Sequence, residues 1–278
     1  MKKILISAVL FILSFSLCAC SDSLTRAELD SFMSLDAEGI RDGASSFDAY
    51  LMTYTTIMYS RSEKKYLTFE VSTVLDTVSG ILCSEIKLDG SSYTSFFVKD
   101  SKVYFDTVMG EIKKIVATED AISDFRHFTD VASRLDSALF PLTLSAKELR
   151  RLGVKVQRVE DGDNAQYVFS LGRKYFNYAY ENAPHVFDKG FTDGITDIGK
   201  VGVDSYMITY VTDSDGKLVS VSEVNKFTVK RDGERLNYEA GISIRKYEGT
   251  LDFDESEYSD SSSGEYINNY KDGNPICQ

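Results

Sequence analysis

The chain has 278 residues, with 31 Lys and Arg against 43 Asp and Glu and 2 His, for a formal net charge of −12. Such a surface repels nucleic acid and anionic headgroups, which excludes phosphate-backbone recognition and membrane binding through basic residues. With 3 Pro, no Trp, 17 Tyr and 17 Phe, the composition leans towards antiparallel sheet, whose pleated, half-buried surface suits Tyr, Phe, Val and Thr.

The first element is a leader. Met1-Lys2-Lys3 is basic, and Ile4 to Ala19 is apolar, with nothing more polar than Ser7, Ser14, Ser16 and Cys18. A spanning helix needs about 20 apolar residues; this shorter run with a small residue at its end reads as a secretory signal peptide. Leu17-Cys18-Ala19-Cys20 resembles the bacterial lipobox. The resemblance implies cleavage before Cys20, a diacylglyceryl group on its sulfur and palmitate-class acyl chains as the anchor. Each buried methylene contributes about 0.8 kcal/mol, so two or three chains hold durably. Loss of residues 1–19 removes Lys2 and Lys3 and no acid, which leaves 29 basic against 43 acidic residues, a net −14. Two cysteines then remain, Cys83 and Cys277. Outside the cytoplasm they can pair; a free thiol at Cys83 with a frayed tail at Cys277 fits the sequence equally well.

Asp22 to about Asp42 repeats apolar residues at helical spacing (Leu24, Ala27, Phe32, Leu35), which predicts a helix near the tether. Phe47 to Tyr59 is apolar and aromatic and is read as a second helix. The period then changes to two. Leu67, Phe69, Val71 and Leu75 share one face of a strand over Lys65–Leu75. Ile81–Leu88, Tyr93–Lys99 and Val103–Met109 complete four antiparallel strands, with turns at Asp89-Gly90 and Asp100-Ser101.

A helical insert follows. Thr118 is the expected cap, and Ile122, Phe125, Phe128, Ala132, Leu135 and Leu139 form one stripe that Pro141 ends. Ser145 and Glu148 have capping-box spacing, and Gly153 is placed to close that short helix. Strands resume at Val154–Val159 and Ala165–Leu171; Arg173–Asp188 is read as helix. Ser205–Val211, Lys217–Lys230 and Glu234–Tyr247 form a meander with turns at 213–216 and 232–233. In its last strand Leu236, Tyr238, Ala240, Ile242 and Ile244 face one way. A final strand is expected near Thr250–Phe253. The segment Asp252–Asp260 holds five acids and no base, and the chain beyond it reads as a loosely held end.

The usual catalytic signatures are missing. His127 and His185 lie 58 residues apart, with no HExxH or paired-Cys motif, so no metal site is expected. Ser-x-x-Lys at Ser62/Lys65, Ser84/Lys87 and Ser243/Lys246 lacks a partner Lys-Thr-Gly; the last two pairs fall in strands, where residues three apart point to opposite faces. No Gly-x-Ser-x-Gly elbow and no phosphate-binding Gly loop occurs. Asp213-Ser214-Asp215-Gly216 is a hairpin turn rather than a calcium loop, because the closing Glu is missing.

The element order, together with the lipobox, resembles the LolA/LolB/LppX-like group of bacterial lipoproteins and carriers. "FVKDSKVYFD" and "VTDSDGKLVSV" are hairpin phrases of the same kind. The resemblance implies an α+β fold, a curved antiparallel half-barrel with capping helices. It implies four parts: a signal peptide at 1–19, a tether and helix at 20–45, one β-rich domain at 46–253 and an acidic, Ser- and Tyr-rich tail at 254–278. It implies no enzyme activity, no cofactor and no nucleic-acid partner. The expected protein is lipid-anchored through Cys20 on the extracytoplasmic face, or at an outer membrane in a diderm cell. A hollow in the half-barrel would take a lipid or other apolar ligand, with Phe69, Val71, Phe97, Tyr104, Phe125 and Phe128 as candidate lining. The alternative is an interaction module for an envelope protein or wall polymer, working through sheet edges or the tail.

Overall fold

Twelve strands line up as one sheet in the order β12-β6-β5-β4-β3-β2-β1-β11-β10-β9-β8-β7. They are seen in a computed structural model, which describes residues 23–60, 65–125, 129–183, 201–231 and 234–260. The strands are β1 Ala49–Ser60, β2 Lys65–Asp76, β3 Ile81–Leu88, β4 Ser91–Lys99, β5 Lys102–Val108, β6 Glu111–Thr118, β7 Lys155–Asp161, β8 Asn164–Ser170, β9 Gly202–Thr212, β10 Leu218–Arg231, β11 Glu234–Lys246 and β12 Ser259–Asp260. The sheet is large, curved and not closed. Neighbours are antiparallel throughout, except that β12 runs parallel to β6.

Local chemistry explains the meander. Asp89 and Gly90, Asp100 and Ser101, and Met109 and Gly110 all have positive φ. Two successive left-handed residues make the turn whose twist matches that of the flanking strands. The third of these turns hides β6 from a sequence reading, because Met rarely takes that conformation and supplies no Asn or Asp signal. Thr118, expected as a helix cap, is the last residue of β6.

The predicted helix at Phe47–Tyr59 is instead β1. Tyr50, Met52, Tyr54 and Thr56 are buried, while Thr53 and Thr55 between them are exposed. Leu51 and Ile57 also carry apolar side chains on the second face, and a central strand with two apolar faces reads like a buried helix.

Four α-helices are described: α1 Arg26–Ala44, α2 Val131–Leu139, α3 Ala146–Arg151 and α4 Arg173–Asn182. Thr25 caps α1 in a capping box with Glu28. Its buried stripe is Leu29, Phe32, Ala37, Ile40 and Ala44; Phe32 is shared with the expected stripe, while Ala27 and Leu35 are exposed. The insert is broken: a 3-10 turn at Glu119–Phe125 bends at Ile122, and α2 starts afresh with Asp130 as its cap. The capping box of Ser145 and Glu148 forms as expected, and Gly153 closes α3 at φ 74°. No helix among the described residues is long and apolar enough to cross a membrane.

Pairing registers assign the two faces. Met52, Val71, Thr73, Ser84, Ile86, Phe96 and Phe105 fall on one face with Ile242, Ile244, Glu223, Ile208 and Phe169. The helices pack here: Phe32 of α1 meets Tyr167 and Phe169 of β8, and Tyr175 of α4 meets Tyr206 of β9. We call this the inner face.

After β11 no strand forms at 250–253. The chain instead crosses to the far wing, makes a 3-10 turn at Glu255–Glu257, and pairs Ser259 and Asp260 with Ile115 and Val116 of β6. The first residues of the expected loose tail therefore lie against the β4–β6 wing.

Candidate functional site

The inner face is the first candidate. Phe69 and Val71 of β2 lie on it, exposed by 1% and 2%. Ile86, Phe96, Val103 and Phe105 continue the apolar surface across β3, β4 and β5. Two polar side chains interrupt it, and they satisfy each other: Thr73 Oγ1 and Ser84 Oγ lie 3.0 Å apart, fully buried.

Under the helices the same face carries a polar patch. Glu223 of β10 is 5% exposed, and the Asn225 side chain donates to its Oε1 at 3.0 Å. Burial raises the Glu223 pKa, against the smaller opposing effects of Asn225 and the Arg134 charge. Arg134, on α2, stacks over the Tyr54 ring at 5.2 Å. Tyr210 donates to the carbonyl of Ala138 at 2.6 Å. Burial also drives the hydroxyls of Tyr175, Tyr206 and Tyr210 well above their ordinary pKa, and Glu223 adds to the effect. The Tyr175 hydroxyl is fully buried with no hydrogen-bond partner among the described residues. Chemically this is a donor-rich patch of protonated tyrosines in an apolar wall, suited to holding a polar atom. The sequence carries one sign of it: Glu223 occupies a core-facing position between Val221 and Phe227.

Phe97 and Tyr104 are not brought together with Phe69 and Val71. Phe97 pairs with Tyr104 on the opposite, outer face, because each is one residue out of phase with inner Phe96 and Phe105. They are covered by the segment after β11. Phe253 lies 5.0 Å from each ring, and Tyr258 lies 5.4 Å from Tyr104. Tyr104 donates to Glu255 at 2.6 Å and Tyr258 to Asp106 at 2.8 Å. Lys114 reaches Asp106 at 2.6 Å and Glu257 at 3.1 Å, and its ammonium sits 4.7 Å above the Tyr258 ring. Burial, then hydrogen bonding to carboxylates, pushes Tyr104 and Tyr258 up to about 12. Asp106 first, and Glu257 after it, raise Lys114.

Phe125 ends the 3-10 turn that contacts β5. Phe128, His127, His185, Cys20 and Cys277 lie outside the described residues. Cys83 is half-buried on the outer face, opposite Phe97 in register. Burial and the charges of Asp106 and Glu85 raise its thiol to about 11, which makes it a poor nucleophile. Among the described residues no cluster of three His, Cys, Asp or Glu is placed to hold a metal ion.

No protein-family model matches the chain, and no curated protein does. Among solved structures, those to which the chain is similar include two lipoproteins and a lipoprotein-sorting domain. The chain is similar to LppX of Mycobacterium tuberculosis. Identity is 11% and the TM-score is 0.39, over 81% of this chain and all of LppX. LprF of Mycobacterium bovis matches at 9% identity and a TM-score of 0.35, over 84% of this chain and 98% of LprF. A putative outer-membrane lipoprotein-sorting domain from Vibrio parahaemolyticus matches at 9% identity and a TM-score of 0.24, over 79% and 95%.

Proposed function

We propose that this protein is an extracytoplasmic lipoprotein, anchored through acyl chains on Cys20, that holds a lipid or another apolar ligand against its inner face and does no chemistry on it. The observation that carries the reading is the inner face itself. An unclosed curved sheet lines up Phe69, Val71, Ile86 and Phe96, each buried, as one apolar face, with the polar patch of Glu223, Tyr175 and Arg134 beyond it. An acyl chain suits the first part, and a polar head suits the second, where the Tyr175 hydroxyl lacks a hydrogen-bond partner among the described residues. The lipobox supports the anchor, and Cys20→Ser is expected to move the protein from the detergent phase to the aqueous phase on phase partition.

Native mass spectrometry of detergent-free protein, paired with organic extraction, tests the ligand. A stoichiometric lipid-sized adduct that Phe69→Glu abolishes is the expected result. A clean apo mass with no extractable lipid would overturn the reading.

A further inference from the structure

The outer face of β4–β6 is built differently from the rest of the molecule. The protein is strongly acidic, yet Lys99, Lys102 and Lys114 gather here around two aromatic side chains, Phe97 and Tyr104, with one carboxylate of the face, Asp106, on Lys114 at 2.6 Å. Residues 252–260 fill the place between them. Phe253 and Tyr258 supply rings, and Glu255 and Glu257 supply charge to Lys102 and Lys114. Ser259 and Asp260 add main-chain pairing to the edge of β6. Only the last two residues use the sheet edge; the 3-10 turn at Glu255–Glu257 lies on the face, so side-chain pockets for Phe253 and Tyr258 supply most of the recognition.

We propose that the outer face of β4–β6 is a peptide-docking groove, that residues 252–260 occupy it in cis, and that its exchange occupant is an acidic segment of another protein with two aromatic side chains five residues apart. The groove is preformed. Its floor strands are fixed from beneath by buried Phe96, Val103 and Phe105, so it persists when the occupant leaves. The resident segment is weakly held. Its ladder is two residues long, and Asp252, Asp254, Glu255, Ser256, Glu257 and Ser259 are exposed. The Lys102–Glu255 pair is more than half exposed on both sides, a setting in which ion pairs hold little. Segments of that kind open locally far more often than the body unfolds. A second copy of this chain is a poor occupant, because it brings a net −12 to a molecule of the same charge.

The test uses the whole chain carrying Phe253→Ala and Tyr258→Ala, with a fluorescent peptide of the sequence LDFDESEYSD as the probe. Anisotropy at physiological salt should show at least tenfold tighter peptide binding by this variant than by the parent, whose own segment competes. Adding Lys114→Glu, or changing both peptide aromatics to Ser at constant charge, should each weaken binding at least tenfold. Equal binding by parent and variant, or by the Ser peptide, would overturn the proposal. If the double variant does not fold, Glu255→Lys with Glu257→Lys sets two ammonium groups against Lys102 and Lys114 and must still tighten peptide binding over the parent, by a smaller factor; no gain would overturn the proposal. A dimer of the parent in sedimentation that Phe253→Ala removes would overturn the foreign occupant in favour of a second copy. None of these readouts depends on a bound lipid.

Discussion

The two wings of the sheet are covered from opposite sides. Over β8, β9 and β10 the cover is helical and lies inside: α1, α2 and α4 bury Phe169, Phe176, Tyr206 and Phe227 almost completely. Over β4, β5 and β6 a single strap with one 3-10 turn lies outside and leaves most of its own side chains in water. Helical cover excludes water from aromatic rings on both sides of the contact, whereas the strap shields only what lies beneath it. The first cover is part of the core, and the second is an attachment.

Core substitutions should break that contrast most visibly. Phe176→Ala, in the helical wing at 0% exposure, should cost about 3–5 kcal/mol in urea unfolding. Phe253→Ala, in the attached segment, should cost about 1.5 kcal/mol or less. Equal losses would mean that the two covers are one unit. The buried carboxyl comes next. Glu223 has a raised pKa in the folded chain and an ordinary one, about 4.5, when unfolded. Its ionisation therefore opposes folding as pH rises from about 4.5 towards the raised value, and below 4.5 that penalty is absent. The stability difference between Glu223→Gln and the parent should move in favour of Gln between pH 4 and pH 8, by thermal unfolding; a flat difference would mean that the carboxyl is solvated. Ser145→Ala should cost about 1 kcal/mol through loss of the α3 cap. The smallest effect belongs to salt: raising it several-fold should alter hydrogen exchange at Ile115 and Val116 only slightly, because the half-exposed Lys114–Glu257 pair holds about 0–1 kcal/mol.

The strands with one wet face were legible in the sequence, because alternation in β2 and β11 sorts Phe69 and Val71, or Ile242 and Ile244, onto one side. The capping box at Ser145 was legible because two side chains three apart dictate it locally. β1 was not, since both its faces carry apolar residues, and β6 was not, since Met109-Gly110 gives half a turn signal. The candidate lining was legible only in part. Phe69 and Val71 share the inner face, but Phe97 sits one residue from Phe96, and in a strand one residue is the difference between two sides of a sheet. The bulges between Ile86 and Lys87 and between Ser95 and Phe96 shift the pairing registers further. The contacts of Phe253 and Tyr258 join residues about 150 apart in the chain, which no local pattern encodes.

Ser23 bridges to Gln157, and the Leu24 amide donates to Val156 at 2.7 Å, so the start of the described chain lies along the outermost strand, β7. Only Ser21 and Asp22 separate that bridge from Cys20. At about 3.5 Å per residue, acyl chains on Cys20 would hold the β7 margin within about 10 Å of the bilayer. β6 is ten strand spacings away in the sheet order, roughly 50 Å along the sheet. With that anchor, the β7 margin would be screened from pairing with other chains, and the β6 margin would lie ten strands away from it around the curve of the sheet.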